Sequence, residues 1–369
     1  MTQFRFSGLL FAITLAWAGS VTADDGIEWR DIRSFAMEGQ GWKDVQMPFD
    51  RLPRKAEGVV RPRIWSLSRN TAGLCARFVT DATEIHARWT LTSDQLAMSH
   101  MPATGVSGLD LYARDDQGRW RWLAMGEPTA MTNSKVLAKG IKPGSREYMI
   151  YLPLYNGVSA AEIGVPRDAT IAPAEPRPEG SRRPVVFYGT SITQGGCASR
   201  PGMVHTAIVG RQLDVPVVNL GFTSNGTMDP PITDLLAELD AAVYVIDCLP
   251  NMTAPEIAAR TGPLVKTLRK ARPKTPILLV ESRPFADSTF LDAQRQRIEA
   301  SRAALKAAYQ HLFAEGIEGL HYLDGDPLLG DDGEATVDGS HPTDLGFMRM
   351  ADVFTHAIAP LVNKRIAGQ

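Results

Sequence analysis

The chain has 369 residues, 44% of them hydrophobic, and a formal charge of −2 at pH 7. A chain of this length and apolar content can bury a substantial core and corresponds to about two domains of ordinary size. Because neither sign of charge dominates, the composition gives no electrostatic reason to expect binding to nucleic acid or to an anionic membrane.

The first 23 residues have the pattern of a cleavable signal peptide. Arg5 gives a weak positive flank, residues 8–19 are mostly apolar, and Val21-Thr-Ala23 is a small-x-small cleavage site. The apolar run is short for a membrane span, although an uncleaved anchor is the alternative. No other stretch is predicted to be transmembrane. We therefore expect cleavage after Ala23 and a periplasmic or secreted protein with no integral membrane association.

Residues 24–168 are predicted to form an all-β domain. Short runs of β-forming residues recur along this part of the chain, and a loop containing glycine, Arg114–Arg119, separates two of them as in a hairpin. Strands at this spacing are typical of a β-sandwich, here one that resembles a jelly roll. The expected strands lie at Leu74–Val79, Ile85–Trp89, Leu109–Ala113, Trp120–Leu123 and Tyr148–Leu152.

A proline-rich segment, residues 169–184, is the predicted boundary. Its densest part, Ala172–Gly180, contains three prolines, which favour an extended connector.

Residues 185–369 alternate between short apolar runs and longer amphipathic stretches. This alternation predicts an α/β domain with a parallel sheet and helices on both faces. The expected strands are Val185–Tyr188, Val215–Leu220, Ala242–Asp247, Ile277–Glu281 and Leu320–Leu323. The expected helices are Val204–Gln212, Thr233–Glu238, Pro255–Ala271, Asp287–Glu315 and Thr343–Asn363.

The stretch with the strongest chemical signal is Gly189-Thr-Ser191, where the first of these strands passes into a helix. Ligands of open α/β sheets bind at this end of the strands. A serine nucleophile needs a base and a group that orients the base. Asp338-Gly-Ser-His341, after the last strand, offers both at the same sheet edge. Alone, each residue is equally explained as a helix cap, a turn aspartate or a surface histidine, but together they predict a catalytic triad.

Acyl transfer also needs donors for a developing oxyanion. Two more strand ends supply candidates: the side-chain amide of Asn251 and the backbone N–H of Ser224. Both are equally consistent with ordinary loop residues.

Arg200, His205 and Glu281 are candidates for a substrate pocket because each lies close in sequence to a strand end or to the nucleophile loop. The alternatives are that His205 packs or caps a helix, and that Glu281 forms a salt bridge.

The three cysteines, Cys75, Cys197 and Cys248, are too few for a disulfide scaffold, and no C-x-x-C pair suggests a metal site. Cys197 and Cys248 either pair in an oxidising compartment or remain two separate buried thiols.

These motifs resemble the SGNH/GDSL hydrolase superfamily. The blocks Gly189-Thr-Ser191, Asn219-Leu-Gly221, Asn251 and Asp338-Gly-Ser-His341 occur in the family's order. Gly108-Leu-Asp-Leu-Tyr112 is similar to the motif of a branch with an N-terminal β domain. The resemblance covers nearly all of the chain after the signal peptide.

The resemblance implies a flavodoxin-like three-layer fold and an esterase that needs no metal or other cofactor. Ser191 would be the nucleophile, His341 the base and Asp338 its orienting carboxylate. Asn251 and the N–H of Ser191 would form the oxyanion hole with a second-block N–H, from Ser224 or Gly226. Two positions depart from the family pattern: Thr190 replaces the signature aspartate, and Ser224 stands where a glycine is expected.

The substrate expected from the resemblance is a small acyl ester, acetyl above all, on carbohydrate. The alternatives are an acylhydrolase for lipids or secondary metabolites, and an inactive protein that binds carbohydrate. The sequence leaves the oligomeric state open.

Overall fold

The structure is a computed structural model that describes residues 26–366, with side chains described up to residue 362. The predicted signal peptide, residues 1–23, lies outside the described residues. No helix within residues 26–366 has both the length and the apolar character required to cross a membrane.

Residues 26–181 contain ten strands and two short α-helices, α1 (Pro62–Leu67) and α2 (Ala103–Val106). The strands are β1 (Ile27–Asp31), β2 (Ala36–Glu38), β3 (Cys75–Thr80), β4 (Glu84–Leu91), β5 (Leu109–Arg114), β6 (Trp120–Gly126), β7 (Thr132–Lys139), β8 (Arg146–Tyr151), β9 (Val158–Pro166) and β10 (Ile171–Pro173).

These strands form a sandwich of two antiparallel sheets. One sheet has the order β1-β9-β4-β7, and the other has the order β10-β3-β8-β5-β6 with β2 added beside β3. The chain passes repeatedly from one sheet to the other as in a jelly roll, while β5 and β6 form the predicted hairpin within one sheet. In β4, Ile85, Ala87 and Trp89 alternate with more exposed residues and point into the space between the sheets.

Residues 182–366 contain five strands and six α-helices. The strands are β11 (Val185–Gly189), β12 (Val217–Gly221), β13 (Val243–Asp247), β14 (Ile277–Val280) and β15 (Leu320–Leu323). The helices are α3 (Ser191–Gln194), α4 (His205–Leu213), α5 (Pro230–Glu238), α6 (Ala254–Ala271), α7 (Asp292–Ala314) and α8 (Asp344–Ile366).

All five strands are parallel, in the order β12-β11-β13-β14-β15. This is the flavodoxin-like order, in which the chain leaves the first strand toward one side of the sheet and returns to the other. Val185 and Phe187 of β11 face the layer formed by α4 and α8, while Val186 and Tyr188 face α5, α6 and α7. The predicted α/β fold with a preceding β-sandwich is therefore confirmed.

The two halves share buried surface. Tyr112 and Tyr151 of the sandwich belong to the same apolar cluster as Ile208 of α4. The buried guanidinium of Arg51 donates hydrogen bonds to the carbonyl oxygens of Asn219 (3.1 Å) and Gly221 (2.7 Å) at the end of β12. Burial lowers the pKa of Arg51 to about 9. These contacts bring loops of the sandwich to the carboxyl edge of the parallel sheet.

Two local features differ from the sequence-based expectation. The proline-rich segment is anchored: β10 pairs with β3, and the buried Arg177 forms ion pairs with Glu38 (2.7 Å) and Asp214 (2.9 Å). The fourth predicted helix of the α/β half begins only at Asp292, after a short 3-10 turn.

All three cysteines are buried free thiols.

Candidate active site

Ser191 is the first residue of α3 and follows directly on β11. The Thr190 side chain caps the helix by accepting a hydrogen bond from the N–H of Ile192 at 3.3 Å. Gly189 is required by close packing, because a Cβ there would lie 2.0 Å from Thr193 Oγ1 and 2.7 Å from the carbonyl oxygen of Asp247. The turn therefore presents Ser191 at the strand end with only 8% of its surface exposed.

Ser191, His341 and Asp338 form a continuous hydrogen-bonded row. Ser191 Oγ lies 2.8 Å from His341 Nε2, and His341 Nδ1 lies 2.8 Å from Asp338 Oδ2. Asp338 Oδ1 accepts the backbone N–H groups of His341 (2.8 Å) and Ser340 (3.1 Å), which fixes the loop. The serine and the histidine, 150 positions apart in sequence, thus meet at one edge of the sheet.

The pKa of Asp338 lies below its ordinary value. Burial raises this pKa, but the hydrogen bonds donated by the backbone and side chain of His341 and by Ser340 outweigh burial. The carboxylate is therefore ionised at neutral pH. It can hold the imidazole with Nε2 toward Ser191 and stabilise the ring when it carries a proton.

Asn251 and Ser224 line the same cavity as Ser191. Asn251 Oδ1 accepts the N–H of Gly226 at 3.3 Å, an assignment that leaves the NH₂ group of Asn251 as a donor. The Gly226 N–H is thereby engaged. The Ser224 N–H has no hydrogen-bonding partner among the described residues, so of the two second-block candidates it is the available donor.

The cavity has a volume of about 430 Å³ and is bordered by both halves of the chain. Its lining is mainly polar and uncharged. From the sandwich half come Arg63, Ser66, Leu67, Asn70, Thr92, Ser93, Gln95, Met98, His100, Tyr155 and Asn156; from the α/β half come Ser191, Ile192, Thr223, Ser224, Pro250, Asn251, Ser340 and His341.

Two further residues hold the nucleophile turn, and the sequence reasoning missed both. The Tyr155 hydroxyl donates to the carbonyl oxygen of Ser191 at 3.0 Å and accepts from Thr223 Oγ1 at 2.9 Å. Gln194 bonds to Thr223 through Oε1 and to Asn70 Oδ1 (3.2 Å) through Nε2. Gln194 belongs to the conspicuous Gly-Thr-Ser-Ile-Thr-Gln run, whereas no sequence signal indicated Tyr155.

Arg200 does not line this cavity. Its guanidinium pairs with Asp110 at 2.7 Å and donates to the Tyr112 hydroxyl at 2.6 Å. Asp110 also accepts the N–H of Gly202 at 2.8 Å and Trp122 Nε1–H at 2.9 Å. The aspartate and tyrosine of the Gly-x-Asp-Leu-Tyr motif thus join the sandwich to the loop that follows the nucleophile.

His205 and Glu281 also lie outside the cavity. His205 is fully buried, with its ring stacked against those of Phe347 and Phe354, and neither ring nitrogen has a hydrogen-bonding partner among the described residues. Burial, and secondarily the charge of Arg283, lower the pKa of His205 to about 3.

Glu281 is bound within the fold: it accepts the Tyr322 hydroxyl at 2.6 Å and the Gly325 N–H at 3.0 Å. Within residues 26–366, no group of three or more His, Cys, Asp or Glu side chains is arranged to hold a metal ion.

Two family models match the chain. Residues 182–359 match the GDSL-like lipase/acylhydrolase family, and residues 27–171 match the N-terminus of the SGNH-hydrolase-type esterases. A search of curated proteins found no match.

Several solved structures are similar to this one. A Bacteroides ovatus protein described as a GDSL-like lipase is 32% identical, with a TM-score of 0.86 over 91% of this chain and 98% of that one. A salicylyl-acyltransferase of a tetracycline biosynthetic pathway is 19% identical, with a TM-score of 0.72 over 91% and 98% of the two chains. A family two carbohydrate esterase from Clostridium thermocellum is 15% identical, with a TM-score of 0.56 over 79% and 93%. The last two likenesses concern the fold.

Proposed function

We propose that this chain is an exported serine esterase that acts through Ser191, His341 and Asp338. The chain belongs to the GDSL-like lipase/acylhydrolase family and is thus an ester hydrolase. The observation that carries the proposal is the row of two 2.8 Å hydrogen bonds from Ser191 Oγ through His341 to Asp338. Nucleophile, base and orienting carboxylate are thereby in reach of one another without rearrangement.

In the first half-reaction, Ser191 Oγ attacks the ester carbonyl carbon while His341 Nε2 takes the hydroxyl proton. The negative charge that develops on the carbonyl oxygen is stabilised by the N–H groups of Ser191 and Ser224 and by the Asn251 amide. As the C–O bond breaks, His341 returns the proton to the leaving alcohol, and the acyl group stays on Ser191. Water, deprotonated by His341, then releases the carboxylic acid and restores the serine.

We infer that the substrates carry small acyl groups, acetyl above all, on carbohydrate. The polar lining of the cavity supports this inference, since a site for long acyl chains would present a continuous apolar wall. Ser224 supports a small acyl group as well, because a side chain stands there beside Asn251 at the position expected to hold glycine. The signal-peptide pattern of residues 1–23 fits an enzyme that meets polysaccharide outside the cytoplasm.

The decisive test of the nucleophile is Ser191→Ala. We expect the variant to retain the wild-type unfolding transition and to lose at least several hundredfold of its turnover of p-nitrophenyl acetate. Wild-type protein should also be labelled by a fluorophosphonate and Ser191→Ala should not. Ser159→Ala, which removes a hydroxyl from β9 outside the cavity, is the matched control and should keep wild-type activity. Unchanged turnover in Ser191→Ala would disprove the proposed nucleophile.

The acyl preference is tested by comparing acetate with octanoate esters of p-nitrophenol, followed by acetate release from acetylated polysaccharides. We expect acetate to be preferred. Preference for octanoate would instead identify an acylhydrolase for lipid-like esters.

A further inference from the structure

Arg63, in the first turn of α1, gives the cavity around Ser191 its charge. Among the described residues it is the one arginine or lysine that lines the cavity, and no carboxylate lines it. Apart from two histidines, the remaining polar groups are hydroxyls and amides. A ligand in this cavity therefore meets a guanidinium and no carboxylate.

The arginines on either side of Arg63 are already paired. Arg61 forms an ion pair with Asp229 at 2.7 Å, and Arg69 forms one with Asp50 at 2.8 Å. Arg63 has no ionic or hydrogen-bonding partner among the described residues. Arg63 is an exposed residue of the cavity lining, so all five N–H donors of its guanidinium are available to a ligand.

We propose that Arg63 binds a carboxylate on the sugar that bears the ester, so that the preferred substrates are O-acetylated uronic acids. This inference rests on the proposed esterase function. A planar guanidinium matches a carboxylate with two parallel hydrogen bonds, which gives orientation as well as attraction. A neutral sugar would leave that charge without a partner.

The dimensions and the remaining lining fit such a ligand. A volume of about 430 Å³ lies within the ordinary range for small-molecule sites. Ser66 and Gln95, which come from the sandwich half like Arg63, offer donors and acceptors for sugar hydroxyls. Ser191 and His341 line the same cavity from the α/β half, where the ester would be held.

A binding measurement tests the inference without turnover. The probes are a methyl glycoside of a uronic acid and the methyl ester of the same compound, which differ only in the charge of the carboxyl group. We expect the acid to bind wild-type protein about tenfold more tightly than the methyl ester. This factor corresponds to the lower end of the free energy expected for hydrogen bonds to a charged group. The preference should weaken as ionic strength is raised toward ~1 M.

Arg63→Gln, Arg63→Lys and the control Arg119→Gln complete the experiment. In Arg63→Gln the ratio of affinities for acid and ester should fall to about one. Arg63→Lys should keep part of the preference for the acid, because the lysine ammonium keeps the positive charge but not the planar pair of donors. Arg119 is an exposed arginine of the β5–β6 hairpin outside the cavity, and its substitution should leave the ratio unchanged. The same ratios, measured as kcat/KM on the O-acetylated acid and its ester, should follow the same pattern.

Equal binding of acid and ester by wild-type protein, or an unchanged ratio in Arg63→Gln, would overturn the inference. Stronger binding of a sulfated than of a carboxylated sugar would overturn it too, in favour of another anion. Hydrolysis of p-nitrophenyl acetate by wild-type protein separates the two proposals. If that hydrolysis occurs without a preference for the acid, the carboxylate site fails and the esterase stands; if it is absent, the esterase itself fails.

Discussion

Ser224 adopts a left-handed backbone conformation, with φ of +56°, where glycine would be unstrained. The strained residue is also the one whose N–H is free beside Asn251. Strain of this kind persists only where surrounding contacts hold it, and it is common at functional sites. At the scale of single residues, this conformation of the loop after β12 is consistent with the proposed role of the Ser224 N–H as an oxyanion donor.

Asn251→Ala tests that arrangement. The substitution removes one proposed oxyanion donor and releases the Gly226 N–H, so turnover of p-nitrophenyl acetate should fall by roughly 10²–10³ while the protein stays folded. The measurement is kcat with substrate in excess, alongside an unfolding curve. Asn225→Ala, in the loop after β12 and outside the cavity lining, is a suitable comparison. A near-wild-type kcat in Asn251→Ala would remove this amide from the proposed oxyanion hole.

At the scale of elements, α4 and α8 pack against one face of the parallel sheet with a histidine between them. His205 is neutral in the folded protein because its pKa is about 3, whereas an unfolded histidine titrates near 6.5. Between these two values the unfolded state binds more protons than the folded state. The contribution of His205 to the free energy of unfolding is therefore fully present above pH 6.5 and is lost as the pH falls toward 3.

His205→Leu should reduce the sensitivity of the fold to acid. In wild-type protein this residue should contribute on the order of 2 kcal/mol to the loss of unfolding free energy between pH 7 and pH 4.5. Denaturant unfolding at both pH values in both proteins measures the difference. Because packing changes act equally at the two pH values, they cancel. An identical pH dependence in the two proteins would show that His205 does not titrate as described.

The elements of the α/β half were predictable because hydrophobic periodicity marks buried strands and amphipathic helices. All five strands and the helices after them lie within a few residues of their predicted positions. The sandwich was harder: β1, β2, β7, β9 and β10 were missed, since strand formation depends on pairing with distant segments as well as on the local sequence pattern.

Of the site residues, Ser191, Asp338 and His341 could be predicted from the sequence. A serine follows the first strand of the parallel sheet, and an aspartate and a histidine follow the last strand, at the same edge. For His205 the packing alternative holds and the pocket does not, and its contacts with Phe347 and Phe354 arise only from tertiary packing. Tyr155 and Arg63 line the cavity from the sandwich half. They were missed because no local sequence pattern predicts which loops of the sandwich lie at the edge of the parallel sheet.

At the scale of the whole molecule, Asp110 joins the two halves. It is fully buried and accepts hydrogen bonds from Arg200, Gly202 and Trp122. Burial raises the pKa of Asp110, whereas the charge of Arg200 opposes that effect. The loop held by this carboxylate is the one that follows Ser191, so the sandwich affects the geometry of the site as well as the walls of the cavity.

Asp110→Ala should leave the Arg200 guanidinium uncompensated in its partly buried position and lower the free energy of unfolding by about 3–5 kcal/mol. Turnover of p-nitrophenyl acetate should fall as well, because the nucleophile loop loses its anchor. Denaturant unfolding and kcat are the measurements. Asp115→Ala, on the exposed hairpin beyond β5, removes a carboxylate paired only at the surface and should have a far smaller effect on both. Equal effects of the two substitutions would contradict the role given to Asp110.

The buried thiols have a practical consequence for handling the protein. Burial raises the pKa of Cys197 to about 12, and burial likewise raises the pKa values of Cys75 and Cys248, so reactive thiolate is scarce at neutral pH. With no cross-link to form and little thiolate to alkylate or oxidise, correct folding does not require an oxidising environment. Protein lacking residues 1–23 and made in a reducing cytosol should therefore match protein made in an oxidising compartment in activity.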